Sequence, residues 1–303
     1  MPRLSIALAA ILWGTTGTAQ ALASTQAHPL AVGAIRLLIG AACLLGLAML
    51  ADRPGLLRPW PRRATLLAGL GVALYQVSFF AAVKTMGVAA GTVTAIGSAP
   101  VAAGILGVLL HDERPAWPWY PATALAVCGC ALLTSSHAGE FSWAGMPLAL
   151  GAGFSYALYC AACKSILRDR RPETAMAGVF GIAAVLLAPL LGVLEMTWLW
   201  EPQSMAAMAH LGVFATALAY LLFSRGLTRT PVATAVTISL LEPLTATALG
   251  IFLLHEPVNT GQLIGMGSIL TGMLLLAMER TALPKTSSDP TLKTKYSNEG
   301  GRP

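Results

Sequence analysis

The chain has 303 residues, of which 56% are hydrophobic and 11% charged, and its mean hydropathy is +0.70. No soluble class has that composition, so lipid is the expected solvent for most of the chain. The net charge of +6 does not point to nucleic acid, because the basic residues fall in short breaks between long apolar runs.

A bilayer core of about 30 Å takes roughly 20 apolar residues per helix. Ten such runs lie over 4–24, 29–51, 64–83, 88–110, 118–136, 142–163, 173–194, 204–224, 231–254 and 260–278. The first lacks the short apolar core and small-residue cleavage site of a signal peptide, so it reads as a retained helix. It presents Trp13, Gly17 and Gln20 on one face, with Thr16 beside them. The second carries Arg36, about seven residues from its start. The third offers Tyr75, Gln76 and Phe79, and the fourth offers Thr94 and Ser98 one turn apart before ending at Glu113. The sixth carries Tyr156 and Tyr159, the eighth Thr216 and Tyr220. The ninth carries Thr234, Thr237 and Glu242 and ends at Glu256. Residues 281–303 are polar and poor in large apolar groups, which predicts a disordered cytoplasmic tail.

Several motifs carry no chemistry. All five cysteines lie inside apolar runs, which argues against a secreted disulfide framework. Cys160-x-x-Cys163 has the spacing of a redox or zinc pair, but no second pair or His stands beside it, so no metal is expected. Gly87-x-x-x-Gly91 and Gly261-x-x-x-Gly265 read as close helix-packing surfaces. There is no Gly-rich phosphate loop with its Lys, so neither ATP nor any other cofactor is implied. The five His are scattered at 28, 111, 137, 210 and 255, unlike the clustered acids, bases and ligands of an enzyme. Neither a charged ring nor a carbonyl filter marks a channel.

Positively charged loops stay on the cytoplasmic side. With the N-terminus inside, every one of the 19 Lys+Arg except Lys84 and Arg36 falls on that side. The predicted topology is therefore ten helices with both termini cytoplasmic.

The chain also aligns with itself at a shift of 143 residues, the separation of Pro100 from Pro243. In that register Pro29 meets Pro172, Ala90 meets Ala233, Thr94 meets Thr237, Gly107 meets Gly250, Glu113 meets Glu256 and Gly129 meets Gly272. Each coincidence is weak in so Ala-, Gly- and Leu-rich a chain; a common register from the second run to the tenth is not. It pairs the first five helices with the last five, over 1–140 and 141–280. Five is odd, so the halves insert upside down, which is the plan of a secondary transporter with a site near the midplane.

The opening LAAILWGTTG at 8–17, the stretch AVKTMGVAAGTVTAIGSAPVAAGILGVLLHDERP at 82–115 and its counterpart at 224–275 resemble the EamA family of the drug/metabolite transporter superfamily, over residues 4–279. The resemblance implies a ten-helix inner-membrane exporter of amino acids or similar small metabolites, with helices 5 and 10 peripheral. The related four-helix multidrug subfamily carries a carboxylate within its first helix. This first helix has none, although the lone deep Glu242 keeps proton-coupled efflux of cationic drugs or polyamines as the alternative.

Ionisable groups inside a membrane cost about 2.5–3.5 kcal/mol on insertion scales and mark function or tight pairing. Glu242 stands near mid-depth, before Pro243, whose missing N–H is expected to free a carbonyl for a cavity. It reads as an ammonium ligand or coupling site, or else as a hydrogen-bonded helix contact. Its register mate is Ala99. Arg36, whose mate is Val179, reads first as a structural pair with the outer end of another helix or as snorkelling to the nearby surface, and second as a gate or carboxylate ligand. Glu113 and Glu256 end helices, where the dipole disfavours an anion, so they should cap the next helix or pair with a neighbour. A small zwitterion needs donors, acceptors and an adaptable wall. Trp13, Gln20, Tyr75, Gln76, Phe79, Thr94, Ser98, Tyr156, Tyr159, Tyr220, Thr237 and Glu242 supply candidates, in a carrier expected to work as a monomer with the lipid bilayer as its surroundings. The topology is checked by reporter fusions: positions 140 and 200 should report from the non-cytoplasmic side, and cytoplasmic signals there would sink it.

Overall fold

The structure is a computed structural model that describes residues 1–21, 27–134 and 143–278; the predicted tail lies outside them. Among the described residues every regular element is helical, as lipid requires, because a helix satisfies its backbone polar groups within its own segment. In chain order these are α1 (Pro2–Ala21), α2 (Pro29–Leu57), α3 (Arg62–Met86), α4 (Val88–His111), α5 (Trp119–Thr134), α6 (Met146–Ile166) and α7 (Pro172–Leu187). They continue with α8 (Pro202–Gly212), a π-helical turn (Val213–Leu218), α9 (Ala219–Leu227), α10 (Val232–Ile238), α11 (Leu241–Leu253) and α12 (Thr260–Met278).

Eight segments of the described residues are long and apolar enough to cross a membrane: α2, α3, Ala90–His111, Trp143–Ile166, Pro172–Gly192, Pro202–Leu227, Val232–Leu253 and α12. A shorter apolar helix covers Trp119–Leu133. The eighth and ninth runs each pass through two α-helices: the π turn joins α8 to α9, and a break at Ser239–Leu240 separates α10 from α11. α1 is 20 residues long, but Thr15, Thr16, Thr18 and Gln20 make its second half more polar than the other spans.

Helix ends follow local chemistry. Pro29 and Pro172 stand in the first turns of α2 and α7, where a missing N–H costs nothing. α4 ends with Asp112 left-handed at φ 53°, and the Glu113 N–H donates to the Gly107 carbonyl at 3.0 Å. α11 ends the same way, with His255 at φ 55° and Glu256 N–H on Gly250 O at 3.0 Å. In both the N–H reaches back six positions and satisfies a carbonyl the helix leaves open.

The arginine-bearing loops gather at one end. Arg170 donates to the carbonyls of Gly55, Arg58 and Pro59 and lies 3.9 Å over the Trp60 ring, while Arg171 donates to Ala51 O at 2.6 Å. Ala51 stands just before the kink of α2 at Asp52 and Pro54, while Gly55, Arg58 and Pro59 lie at and just beyond its end, where carbonyls lack helical donors.

Helices pack in recurrent pairs: α3 and α4 on α6, α1 on α9 and α11, α2 on α7, α4 on α10, and α5 on α12. Without a hydrophobic force between helices in lipid, small residues set these crossings. A Cβ on Gly129 would sit 2.7 Å from the Gly265 carbonyl, and one on Gly272 would sit 2.6 Å from the Ala122 carbonyl. Gly153 is similarly filled by Ser98 and the Ala95 carbonyl. Gly87 behaves differently from the packing residue expected, since no atom lies near its missing Cβ. Its φ of 84° shows that it turns the chain into α4. Gly129→Leu should therefore overpack α5 against α12 and cost about 1–3 kcal/mol, read as a lower unfolding temperature in detergent; an unchanged temperature would refute the crossing.

Candidate functional site

The central cavity, about 60 Å³, is lined by Trp13, Thr16, Arg36, Tyr75, Ala95, Ile96, Ala99, Tyr156, Tyr220, Val236, Ser239, Leu240 and Glu242. At roughly 10–15 Å³ per water-sized group, that holds about four to six such groups. Its wall is drawn from α1, α2, α3, α4, α6, α9 and both sides of the α10–α11 break.

The break positions Glu242. Leu240 N–H donates to Thr237 O at 3.1 Å and Glu242 N–H to Ser239 O at 3.0 Å, so the chain tightens into i→i+3 turns before α11 begins. The carbonyl that Pro243 was expected to free is therefore taken by Glu242's own N–H. What the break supplies instead is a helix start: Glu242 lies in the first turn of α11, where the dipole favours an anion. Gly14 lets α1 approach this point, because a Cβ there would lie 2.8 Å from the Glu242 carbonyl.

Arg36 is held from behind. Its Nη2 donates to Gln76 Oε1 at 3.1 Å, and Gln76 is 3% exposed. Gly33, almost one turn before Arg36, leaves room for that amide, since its Cβ would lie 2.9 Å from Gln76 Nε2. The bond ties α2 to α3, and Arg36 also lines the cavity.

Aromatic rings fill the space around the two charges. Trp13 lies 4.8 Å from Tyr220 and meets Tyr156 edge-on at 6.4 Å, and Tyr75 lies 5.8 Å from Tyr156. Tyr156 Oη donates to Ser239 Oγ at 3.3 Å, which in turn donates to Val236 O at 2.7 Å. Trp13 Nε1 is buried and has no hydrogen-bond partner among the described residues.

Trp13, Thr16, Tyr75, Tyr156, Tyr220, Arg36 and Glu242 thus come together, and the other sequence candidates lie elsewhere. Tyr159 and Gln76 line a void of about 10 Å³ behind the cavity. Phe79 stacks on Tyr75 at 5.6 Å. Ser98 bonds Ala95 O at 3.1 Å and packs on Gly153. Thr237 accepts from Trp119 Nε1 at 2.9 Å and lies 3.0 Å from Thr123 Oγ1, so its hydroxyl ties α5 to α10. Thr234 is buried, and Thr216 is buried against Gly40. Gln20 and Thr94 are half-buried outside the cavity wall, and Gly17 is exposed, because the cavity lies on the Thr16 side of Trp13. Sequence reasoning missed Ser239, Val236, Ile96, Ala95 and Leu240. Ser239 was accessible in principle, one turn before Glu242 on the same face.

A wider cleft of about 460 Å³ opens between α1, α8 and α11 at the end opposite the arginines, lined by Thr15, Thr18, His210, Leu249 and Leu253 among others. Thr15 Oγ1 and His210 Nε2 lie 2.8 Å apart across it.

The chain matches the model of the EamA-like transporter family over residues 3–135 and 143–278. It is 43% identical over 275 residues to the uncharacterized transporter YwfM of Bacillus subtilis, covering 90% of this chain and 93% of that protein. It is 28% identical over 287 residues to the threonine/homoserine exporter RhtA of Escherichia coli K12, covering 89% and 88%. A solved crystal structure shares the fold at a TM-score of 0.79 and 21% identity, with coverage of 92% and 99%.

The Arg36–Gln76 bond generates a test. Gln76→Leu removes the acceptor of a charged donor and should cost about 1.5–3 kcal/mol, seen as a lower unfolding temperature. Gln76→Glu keeps an acceptor and should lose less; equal losses would show that the bond carries nothing.

Proposed function

We propose that this chain, which belongs to the EamA-like transporter family, exports small zwitterionic metabolites, amino acids among them, across the inner membrane by alternating access. It is a multi-pass membrane protein, and the observation that carries the substrate class is the presence of both Arg36 and Glu242 on the wall of one cavity. A guanidinium offers a fixed fork of donors to a carboxylate. A carboxylate and aromatic faces attract an ammonium. The volume of a few water-sized groups suits the head of an amino acid with a small side chain. The name of RhtA, an exporter of threonine and homoserine, supports the same class.

The carrier is proposed to have ten membrane helices in two inverted repeats, with α1 and α5 completing the eight longer spans and both termini cytoplasmic. Twenty residues of α1 reach about 30 Å. Support comes from packing that survives the 143-residue shift. The contact of Gly129 with Gly265 becomes that of Ala122 with Gly272. The α1–α9 pair becomes the α3–α6 pair. Trp13 and Tyr156 are register mates that touch each other, as residues beside a pseudo-two-fold axis do, and Ile96/Ser239 and Ala99/Glu242 are mates that share the cavity wall.

Glu242 and the aromatic rings also suit a proton-coupled exporter of cationic drugs or polyamines, but Arg36 on the same wall opposes a multiply charged cation. Chemistry on the substrate forms no part of this proposal. Liposome transport with a competition panel decides. Amino acids should compete, and their decarboxylated amines should compete at least tenfold less well. Glu242→Gln, which keeps size and hydrogen bonding, should fold and lose most transport. Preferred efflux of polycations, driven uphill by a pH gradient and abolished in Glu242→Gln, would reverse the assignment in favour of the second reading.

A further inference from the structure

Glu113 does more than end its helix. Its Oε2 accepts from Val232 N–H, the first residue of α10, at 2.8 Å, and its other oxygen pairs with Lys164. Lys164 Nζ also donates to Thr230 O at 2.6 Å. Beside them His111 Nε2 lies 2.8 Å from Ala161 O, and Arg168 lies 3.0 Å from His111. These bonds stitch α4, α6 and α10 together at the arginine-rich end. α10 has no side-chain cap of its own, since its N-cap is Pro231, so Glu113 supplies from across the interface the acceptor that a helix start lacks.

The same parts exist at the other end, unjoined. Glu256 is the register mate of Glu113 and sits in the same kind of closure, after His255 at φ 55° and with its N–H on Gly250 O at 3.0 Å. Its residue is exposed. The mate of Val232 is Ala89, at the start of α4, and α4 also begins without a side-chain cap, since its N-cap is Gly87. The cleft between α1, α8 and α11 opens at this same end.

We propose that Glu113 and Glu256 are exchanging caps. Glu113 closes the cytoplasmic end by capping α10, as here, and Glu256 closes the outer end by capping the start of α4 at Ala89 when the carrier turns over. The proposal rests on the alternating-access reading and not on the identity of the substrate. The two caps are unequal. Lys164 has no counterpart, because its mate is Ala21, so the cytoplasmic cap is an ion pair as well as a helix cap. That inequality favours the state closed towards the cytoplasm.

The test needs no substrate. A cysteine replaces cavity-lining Ala99 in a chain whose five native cysteines are substituted. Its rate of modification by a membrane-impermeant methanethiosulfonate is measured from each side in oriented vesicles. Removing a charge-assisted bond from one state should shift the ratio of the two rates about five- to tenfold. Glu113→Gln should raise the cytoplasmic rate relative to the outer one, Lys164→Gln should shift it the same way, and Glu256→Gln should shift it oppositely. The double variant Glu113→Gln/Glu256→Gln should return towards the wild-type ratio, which a merely destabilised protein would not do. A cavity reached from both sides in the parent, with Glu256→Gln inert or shifted in the same direction as Glu113→Gln, overturns the cap exchange alone. A cavity in the parent and in every variant that is reached from only one side overturns the alternating-access reading beneath it.

Discussion

The arrangement of the site depends on the interruption between α10 and α11. A continuous helix through this segment would leave Glu242 in a helix interior, with no local dipole to favour its charge. Breaking the segment at Ser239–Leu240 spends the local backbone donors on i→i+3 bonds and opens a new helix whose first turn contains the carboxylate. Irregular backbone is tolerated in a membrane protein only where protein or a cavity surrounds it, and here both do. Gly14 brings α1 against the Glu242 carbonyl, and the aromatic rings of α1, α3, α6 and α9 cover the remaining sides.

Much of the frame was legible from periodicity and punctuation. The apolar runs located the helices because each must satisfy its own backbone in lipid, and Pro29 and Pro172 located two starts. Glu242 and Arg36 were legible because charge is costly there, and the structure puts both on one cavity. The hydroxyls were less legible for a physical reason. Thr237 and Ser98 are as polar as Ser239, but in a membrane bundle a hydroxyl bonds whichever backbone or helix is nearest. Thr237 joins Trp119 and Thr123, Ser98 turns to Ala95, and only Ser239 keeps an aromatic hydroxyl of the cavity as its partner. Helical spacing cannot distinguish these, since the choice depends on the neighbouring helix.

Pro243 was misread through the same limit. A proline guarantees that one carbonyl loses its usual partner, but not that the carbonyl stays free. The neighbouring N–H of Glu242 can reach it by tightening the turn, and does. The sequence rule identified the right residue and the wrong consequence, because the response of the flanking peptide units is a property of the folded turn.

The proposed repeat raises a last question of charge. Under a perfect two-fold axis, any residue on the cavity wall would be faced by its own copy, so one carboxylate would bring a second and one guanidinium another. Such a wall would suit a symmetric ion and would pay like-charge repulsion when empty. This chain departs from symmetry at the two positions where it matters, with Ala99 standing for Glu242 and Val179 for Arg36. In the proposed repeat the frame would move as two equivalent halves while the wall carries one basic and one acidic side chain. A cavity of that kind has a direction, and the ligand that matches a direction is a dipole, which is the physical reason for preferring a zwitterion over a simple cation.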